Sequence, residues 1–331
     1  MQRYGCPLRK GRFDMADRSG AACAAKKTSI GGQALIEGIM RRGPEVTAMA
    51  VRNAKTQEII LEEYPTKGKD RAKFFKLPFV RGIFNMVDSL SFGYKCLMRS
   101  AELSGIEDDD SGKEKKSSKW DKVFEALLMP LATVLAVVLA LGLFVYLPMQ
   151  IWKWITAAAP TVQQNYYARA CFEGVMRILL FVGYVWATSL MKDIRRTYQY
   201  HGAEHKTIFC YEAGLPLTVE NVRPQVRFHP RCGTSFMVLM LIVGSLVSMF
   251  IRVDNLLLRT GLKLLTFPIV VGIGYELIKW AGRTDNLLTR VISAPGKWLQ
   301  HITTREPDDS MIECAIAAMN KVIPADGSDN W

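Results

Sequence analysis

The sequence predicts an α-helical polytopic membrane protein, with four transmembrane helices and a small α+β cytoplasmic domain. The prediction rests on composition, on the placement of apolar runs, and on the sidedness of basic residues. The 331 residues combine 49% hydrophobic content with a mean hydropathy of +0.08, above the usual soluble balance. That excess is concentrated in a few long runs. Lysine and arginine gather on alternate connections between them.

The anchor is the uncharged run from Leu127 to Trp152, which exceeds the roughly 20 residues needed to cross the hydrocarbon core. A second run, Gly233 to Ile251, is ended by Arg252. Residues 172–191 and 264–281 complete the set of four, although the former contains Arg177 and the latter Glu276 and Lys279. Charges there must snorkel or pair. Lys113, Lys115, Lys116, Lys119 and Lys122 precede the first span, and Lys192, Arg195, Arg196, Lys206, Arg223, Arg227 and Arg231 lie between the second and third. Lys279, Arg283, Arg290 and Lys297 follow or close the fourth. The alternate connections hold only Lys153 and Arg169, then Arg252, Arg259 and Lys263. Both termini are therefore expected in the cytoplasm, in a multi-pass protein of the plasma membrane.

Residues 1–28 form a basic tail without the apolar segment of a secretory signal, and are expected to be disordered. Residues 29–103 make the α+β region. Thr47–Asn53 and Glu58–Pro65 alternate as strands around the hairpin loop Ala54–Gln57. Phe75, Phe79, Ile83, Met86, Val87, Leu90, Tyr94 and Leu97 then trace one face of a helix, whose start Pro78 interrupts. That face reads as core packing or as an interfacial helix. Residues 104–122 are too charged to pack and form a linker. In the C-terminal tail, 282–331, Pro307 opens a helix striped by Met311, Ile312, Ala315, Ile316, Met319, Val322 and Ile323, expected to pack on the N-terminal hairpin.

The formal charge of +12 fits a cytoplasmic face beside anionic lipid. No nucleic-acid recognition module is visible, so the lipid bilayer is the expected partner and sequence-specific nucleic-acid binding is not. The seven cysteines form no short-spaced framework, and all but Cys171 are expected on the reducing side.

Chemistry is concentrated in the cytoplasmic segment 192–232, which holds three of the four histidines. His201 and His205 stand four apart in a stretch that can be helical until Gly214 and Pro216, so both imidazoles can face one metal ion beside Glu204. The H-x-x-E-H order occurs in inverted zinc peptidases, where the glutamate is a general base. Alone, two histidines at this spacing are frequently packing residues. His229-Pro230-Arg231-Cys232 strengthens the reading, because imidazole and thiolate are both zinc ligands. The expected site is therefore zinc, or another divalent transition metal, held by His201, His205, His229 and Cys232. Glu204 is the candidate catalytic base, and Glu276 and Cys210 are additional candidate ligands.

Four ordered motifs, GGQALIEGIMRRGP (Gly31–Pro44), YHGAEHKTIFCYEAG (Tyr200–Gly214), HPRCGTSF (His229–Phe236) and TTREPDD (Thr303–Asp309), together resemble the YqhQ family. That is a family of bacterial membrane proteins of unknown function, labelled predicted metal-dependent enzymes. The resemblance implies that His201, Glu204, His205, His229 and Cys232 carry the metal proposal. It also implies a context near the ribosome or protein-biogenesis machinery, since family members are often encoded near translation genes. The leading expectation is a zinc-dependent hydrolase at the cytoplasmic membrane face. The competing one is a noncatalytic, metal-stapled scaffold in translation-coupled or membrane-protein biogenesis.

Reporters fused after Trp331 and inserted near Glu114 should both read cytoplasmic. A periplasmic signal from either would overturn the four-span topology.

Overall fold

A computed structural model describes residues 27–66, 77–78, 80–106, 131–158, 165–253, 255–284 and 286–329. The basic tail up to residue 26, the linker from 107 onwards, Phe75 and Phe79 lie outside these residues. The described chain is mostly helical, with one four-stranded antiparallel sheet in the order β1-β2-β3-β4. β1 (Gly31–Leu35) and β2 (Gly38–Arg42) form a tight hairpin, followed by β3 (Val46–Arg52) and β4 (Ile59–Pro65). The β1–β2 hairpin lacks an Asn-Gly or Asp-Gly signal. Its turn residue Glu37 takes a positive φ of 50°, and its carboxylate is held by Arg196 and by the Tyr200 hydroxyl.

Strand alternation splits the sheet's side chains between two partners. Leu35, Met40, Met49 and Val51 pack with Cys96 of helix α1 (Val80–Ser104). Ile39 and Ala48 point the other way, against the tail helix α9 (Asp309–Val322). Asp308 caps α9 by accepting from the backbone of Met311, and the buried stripe includes Met311, Ile312, Ala315, Met319 and Val322. On α1, however, Val87, Leu90 and Tyr94 are 54%, 65% and 59% exposed, so the apolar stripe faces outward while Gly93 and Cys96 face the sheet. That arrangement fits the interfacial alternative.

Among the described residues, three helices are long and apolar enough to cross a membrane: α2 (Leu131–Ala158), α3 (Tyr166–Thr188) and α7, whose apolar span is Leu257–Arg283. α2 contains a π-helical turn, Gly142–Tyr146. The fourth expected span is α6 (Gly233–Ser248), only 16 residues long. At 1.5 Å per residue it reaches about 24 Å, short of the roughly 30 Å hydrocarbon core. α7 runs from Leu256 to Arg283, well beyond the expected 264–281, because Asn255 caps it and Arg259 and Lys263 lie inside the helix rather than in a connection. Both pair with Glu173 of α3. Charge counting along the sequence cannot anticipate such a pairing.

Between these helices runs α4 (Lys192–Glu212), buried from Gly202 to Ile208, followed by the short α5 (Val219–Val222). The amphipathic α8 (Leu287–Thr303) packs against α6 and leads into α9. A Cβ on Gly202 would meet the Arg305 carbonyl at 2.0 Å, so only glycine lets α4 seat the 303–307 segment. Met311 is fully buried, and Met311→Ala should cost about 2–5 kcal/mol in equilibrium unfolding of the detergent-solubilised protein. Leu90→Ala, on the exposed face of α1, should stay within about 0.5 kcal/mol.

Candidate metal centre

Helix α4 presents His201 and His205 one turn apart, with ring centroids 4.4 Å from each other. Cys232 reaches them from the N-cap of α6, where the positive end of a helix favours a thiolate. One ligand atom from each of His201, His205 and Cys232 lies within 4.8 Å of the others. His201 Nε2 is 3.1 Å from Cys232 Sγ, and the Thr234 hydroxyl is 3.2 Å from the same sulfur.

Backbone carbonyls orient both rings. His201 Nδ1 lies 2.8 Å from the Thr303 carbonyl, and His205 Nδ1 lies 2.5 Å from that of Arg227. A carbonyl can only accept, so both Nδ1 atoms carry hydrogen and both Nε2 atoms are directed to the thiol side. This is the outer-shell arrangement that fixes metal-binding histidines.

The electrostatics agree with the donor chemistry. Burial pushes the Cys232 thiol up, but the His201 and His205 imidazoles outweigh it and hold the thiol well below its ordinary value. Burial pulls His201 down, yet the Cys232 thiolate and Glu204 raise it to about 9. The imidazoles thus favour the thiolate, the ligating form of sulfur, while His201 would release a proton on binding a cation. Two imidazole nitrogens and a thiolate fit a zinc-type ion with one coordination position left over.

Glu204 stands beside the two imidazoles. Its Oε2 is 3.6 Å from His205 Nε2 and 4.0 Å from His201 Nε2. Its Oε1 accepts from Arg41 Nη1 at 2.8 Å, and Arg41 Nη2 also donates to the Glu204 backbone carbonyl. Burial pushes the Glu204 carboxyl up, but Arg41 and the two imidazoles hold it below the ordinary carboxylate range. Arg41 is fully buried on β2. A Cβ on Gly32 would come within 2.6 Å of Glu204 Oε1, so β1 must carry glycine where it passes the pair.

The remaining sequence candidates fall elsewhere. The His229 ring is 5.5 Å from that of His205, centroid to centroid, outside the group of three. Its Nδ1 and Nε2 lie 3.3 Å from the Arg231 backbone nitrogen and guanidinium respectively, and a neutral imidazole can accept at only one of them. Burial, followed by the neighbouring His205 and Arg231, holds His229 well below its ordinary pKa. Gln300 grips the His229 backbone from both sides, accepting from its nitrogen at 2.7 Å and donating to its oxygen at 2.8 Å. Cys210 is buried in the core beneath α9, its thiol pushed up to about 11 by burial. Glu276 is not in the group of three; it pairs with Arg81 of α1 at 2.7 and 2.5 Å, and so clamps α1 to α7.

Reasoning from the sequence assigned no role to Arg41, Thr303, Gln300 or the Arg227 carbonyl. Arg41 and Thr303 do lie within the quoted motifs. Lys206 and Arg227 both pair with Glu306, at 2.5 and 2.9 Å, which fastens the 303–307 segment over the centre.

A family model described as a protein of unknown function (DUF1385) matches residues 77–325. The chain belongs to that family. It is 33% identical over 298 residues to "Uncharacterized protein YqhQ" of Bacillus subtilis (strain 168), covering 89% of this chain and 92% of the relative. No solved structure matches.

Removing one partner of the buried Arg41–Glu204 pair strands the other. Arg41→Met should therefore destabilise the protein by about 3–5 kcal/mol, and adding Glu204→Gln should recover most of that loss. A double variant no more stable than Arg41→Met would show the pair to be uncoupled.

Proposed function

We propose that the chain holds a single zinc ion, or another divalent transition metal, through His201, His205 and Cys232, and uses it for hydrolysis at the cytoplasmic face of the membrane. One observation carries the reading: two histidines fixed at Nδ1 by backbone carbonyls converge at Nε2 on a thiolate, next to a buried, ionised glutamate. Three protein ligands leave a fourth position, the pattern of catalytic rather than closed zinc sites. A zinc ion bound there would supply Lewis acidity.

The chain's own groups would do the rest. Arg41 holds Glu204 Oε1, which leaves Oε2 on the Nε2 side to take a proton from an attacking water and hand it to the leaving group. Arg41 keeps the carboxylate ionised and rigid at neutral pH, at some cost in basicity. His229 stands close enough to orient substrate or to move into the shell.

The cytoplasmic placement belongs to a four-span topology with both termini inside. Three long apolar helices and the basic flanks of the segment carrying the centre support it. α6 would complete the set as a short, partly sheltered span.

A second reading is favoured by the same burial: Glu204 is only 5% exposed, and as a fourth ligand it would close the shell. The metal would then staple α4, α6 and the tail into a noncatalytic scaffold, for which the ribosome or the protein-biogenesis machinery is the candidate partner.

Purified protein should contain about one zinc per chain, largely lost in Cys232→Ser and in His201→Ala, while His229→Ala retains it. Glu204→Gln should keep the metal yet lose complementation of a deletion strain by about 100-fold or more. Arg41→Met/Glu204→Gln serves as the control matched for stability. If Glu204→Gln instead loses metal as Cys232→Ser does, and complementation falls only in step with metal content, the scaffold reading replaces the hydrolase.

A further inference from the structure

Away from the metal centre, the helical bundle contains a second charged cluster that the proposed chemistry does not use. Glu173 of α3 is fully buried and surrounded by four cations. Its oxygens lie 3.1 Å from Arg169 Nε, 3.0 Å from Arg177 Nη2, 2.8 Å from Arg259 Nη1 and 3.1 Å from Lys263 Nζ. Even with Arg169 set aside, Arg177, Arg259 and Lys263 face one carboxylate, a formal surplus of two among the described residues.

The surplus sits in a poor solvent for it. The side chains of Arg169, Arg177 and Lys263 are 11%, 12% and 17% exposed, and that of Arg259 only 3%. Arg259 Nη2 donates to Glu173 Oε2 at 3.0 Å. Its Nη1 is within ion-pair distance of Oε1 but out of hydrogen-bonding alignment, and its Nε has no hydrogen-bond partner among the described residues. A buried guanidinium with unused donors, beside two further arginines and a lysine, is strongly disfavoured unless an anion compensates it.

The fold builds this place deliberately. A Cβ on Gly174, next to Glu173, would lie 2.7 Å from the Ser245 side chain, so α3 and α6 cross in close contact at this level. Arg177 Nε donates at 2.9 Å to the Phe144 carbonyl inside the π-helical turn of α2. Such turns frequently mark functional sites. Glu173 lies near the start of α3, and Arg259 and Lys263 near the start of α7. The metal centre lies beyond the end of α3 and at the start of α6. Connectivity therefore places the two clusters at opposite ends of the bundle.

We propose that Arg169, Arg177, Arg259 and Lys263 form a phosphate-oxyanion site at the end of the helical bundle remote from the metal centre. Guanidinium forks match the paired oxygens of a tetrahedral phosphate, and lysine adds a point charge. Glu173 is the fixed counter-charge that the four cations share, and it competes with an incoming oxyanion for them. The phosphate can come from a phospholipid headgroup, which the bilayer supplies at the ends of spanning helices, or from free inorganic phosphate.

The test uses the full-length protein in two arms. In nanodiscs of phosphatidylcholine with and without phosphatidic acid, native mass spectrometry should find phosphatidic acid retained preferentially. In detergent, titration with inorganic phosphate reports on the free ion. Arg259→Gln should weaken whichever probe binds by about tenfold or more, the scale of one charge-assisted hydrogen bond. Glu173→Gln removes a competing anion and should strengthen the same probe, even though it lowers the melting temperature. If Arg259→Gln does not yield folded protein, Lys263→Gln and Glu173→Gln decide through their opposite signs. Lipid retention alone assigns the headgroup as the source, and phosphate binding alone assigns the free ion. Wild type that binds neither probe above the phosphatidylcholine background would overturn the proposal. So would cation variants that bind like wild type, or a Glu173→Gln variant that binds more weakly.

Discussion

Arg41 and Glu204 are both buried, and neither is tolerable there without the other. Their pair joins strand β2 to helix α4 across a sequence separation of 163 residues. Arg41 binds both the carboxylate and the backbone carbonyl of the same residue, so it sets the position of α4 along its axis as well as the orientation of the side chain. Several other features depend on that register. Gly32 must lack a side chain, and His201 and His205 face the start of α6. The tail must cross α4 where Gly202 leaves room. The sheet is therefore part of the centre's supporting shell, although it donates no ligand to the group of three.

Much of the helical frame was legible because apolar runs report it directly. The α4 pair was legible from the spacing of His201 and His205, and Cys232 from its place just before an apolar run. Three kinds of information were not. Backbone carbonyls leave no mark in a sequence, so the partners that fix the two Nδ1 atoms at Thr303 and Arg227 could not be read. Long-range ion pairs were equally hidden: Glu276 offered itself as an intramembrane ligand, but its partner is Arg81 on another helix. The β1–β2 hairpin was missed because Glu37 occupies a turn position that glycine or asparagine usually signals. Arg196 and Tyr200, far along the chain, compensate for that choice.

His229 illustrates why ligand type and spacing do not determine which side chains converge. It has the right chemistry and comes from the same short segment as Cys232. Yet Gln300 fixes its backbone and Arg231 occupies its ring edge, leaving it adjacent to the group formed by the other three. The apolar stripe of α1 teaches the same lesson about surfaces. A helical period shows that one face differs from the other, but not which solvent each face meets.

The segment Thr303–Pro307 gives the centre a temporal order. Helices α4 and α6 leave the ribosome before α8 does, and until Gln300 emerges nothing clamps the His229 backbone. Until Thr303 emerges His201 lacks the carbonyl that turns its ring, and until Glu306 emerges Lys206 and Arg227 lack their shared counter-ion. The nascent chain thus carries imidazoles and a thiol that are close in sequence but unaligned. His201, His205 and Cys232 become aligned only after the C-terminal segment has docked, by which time the helices of the bundle have already been synthesised.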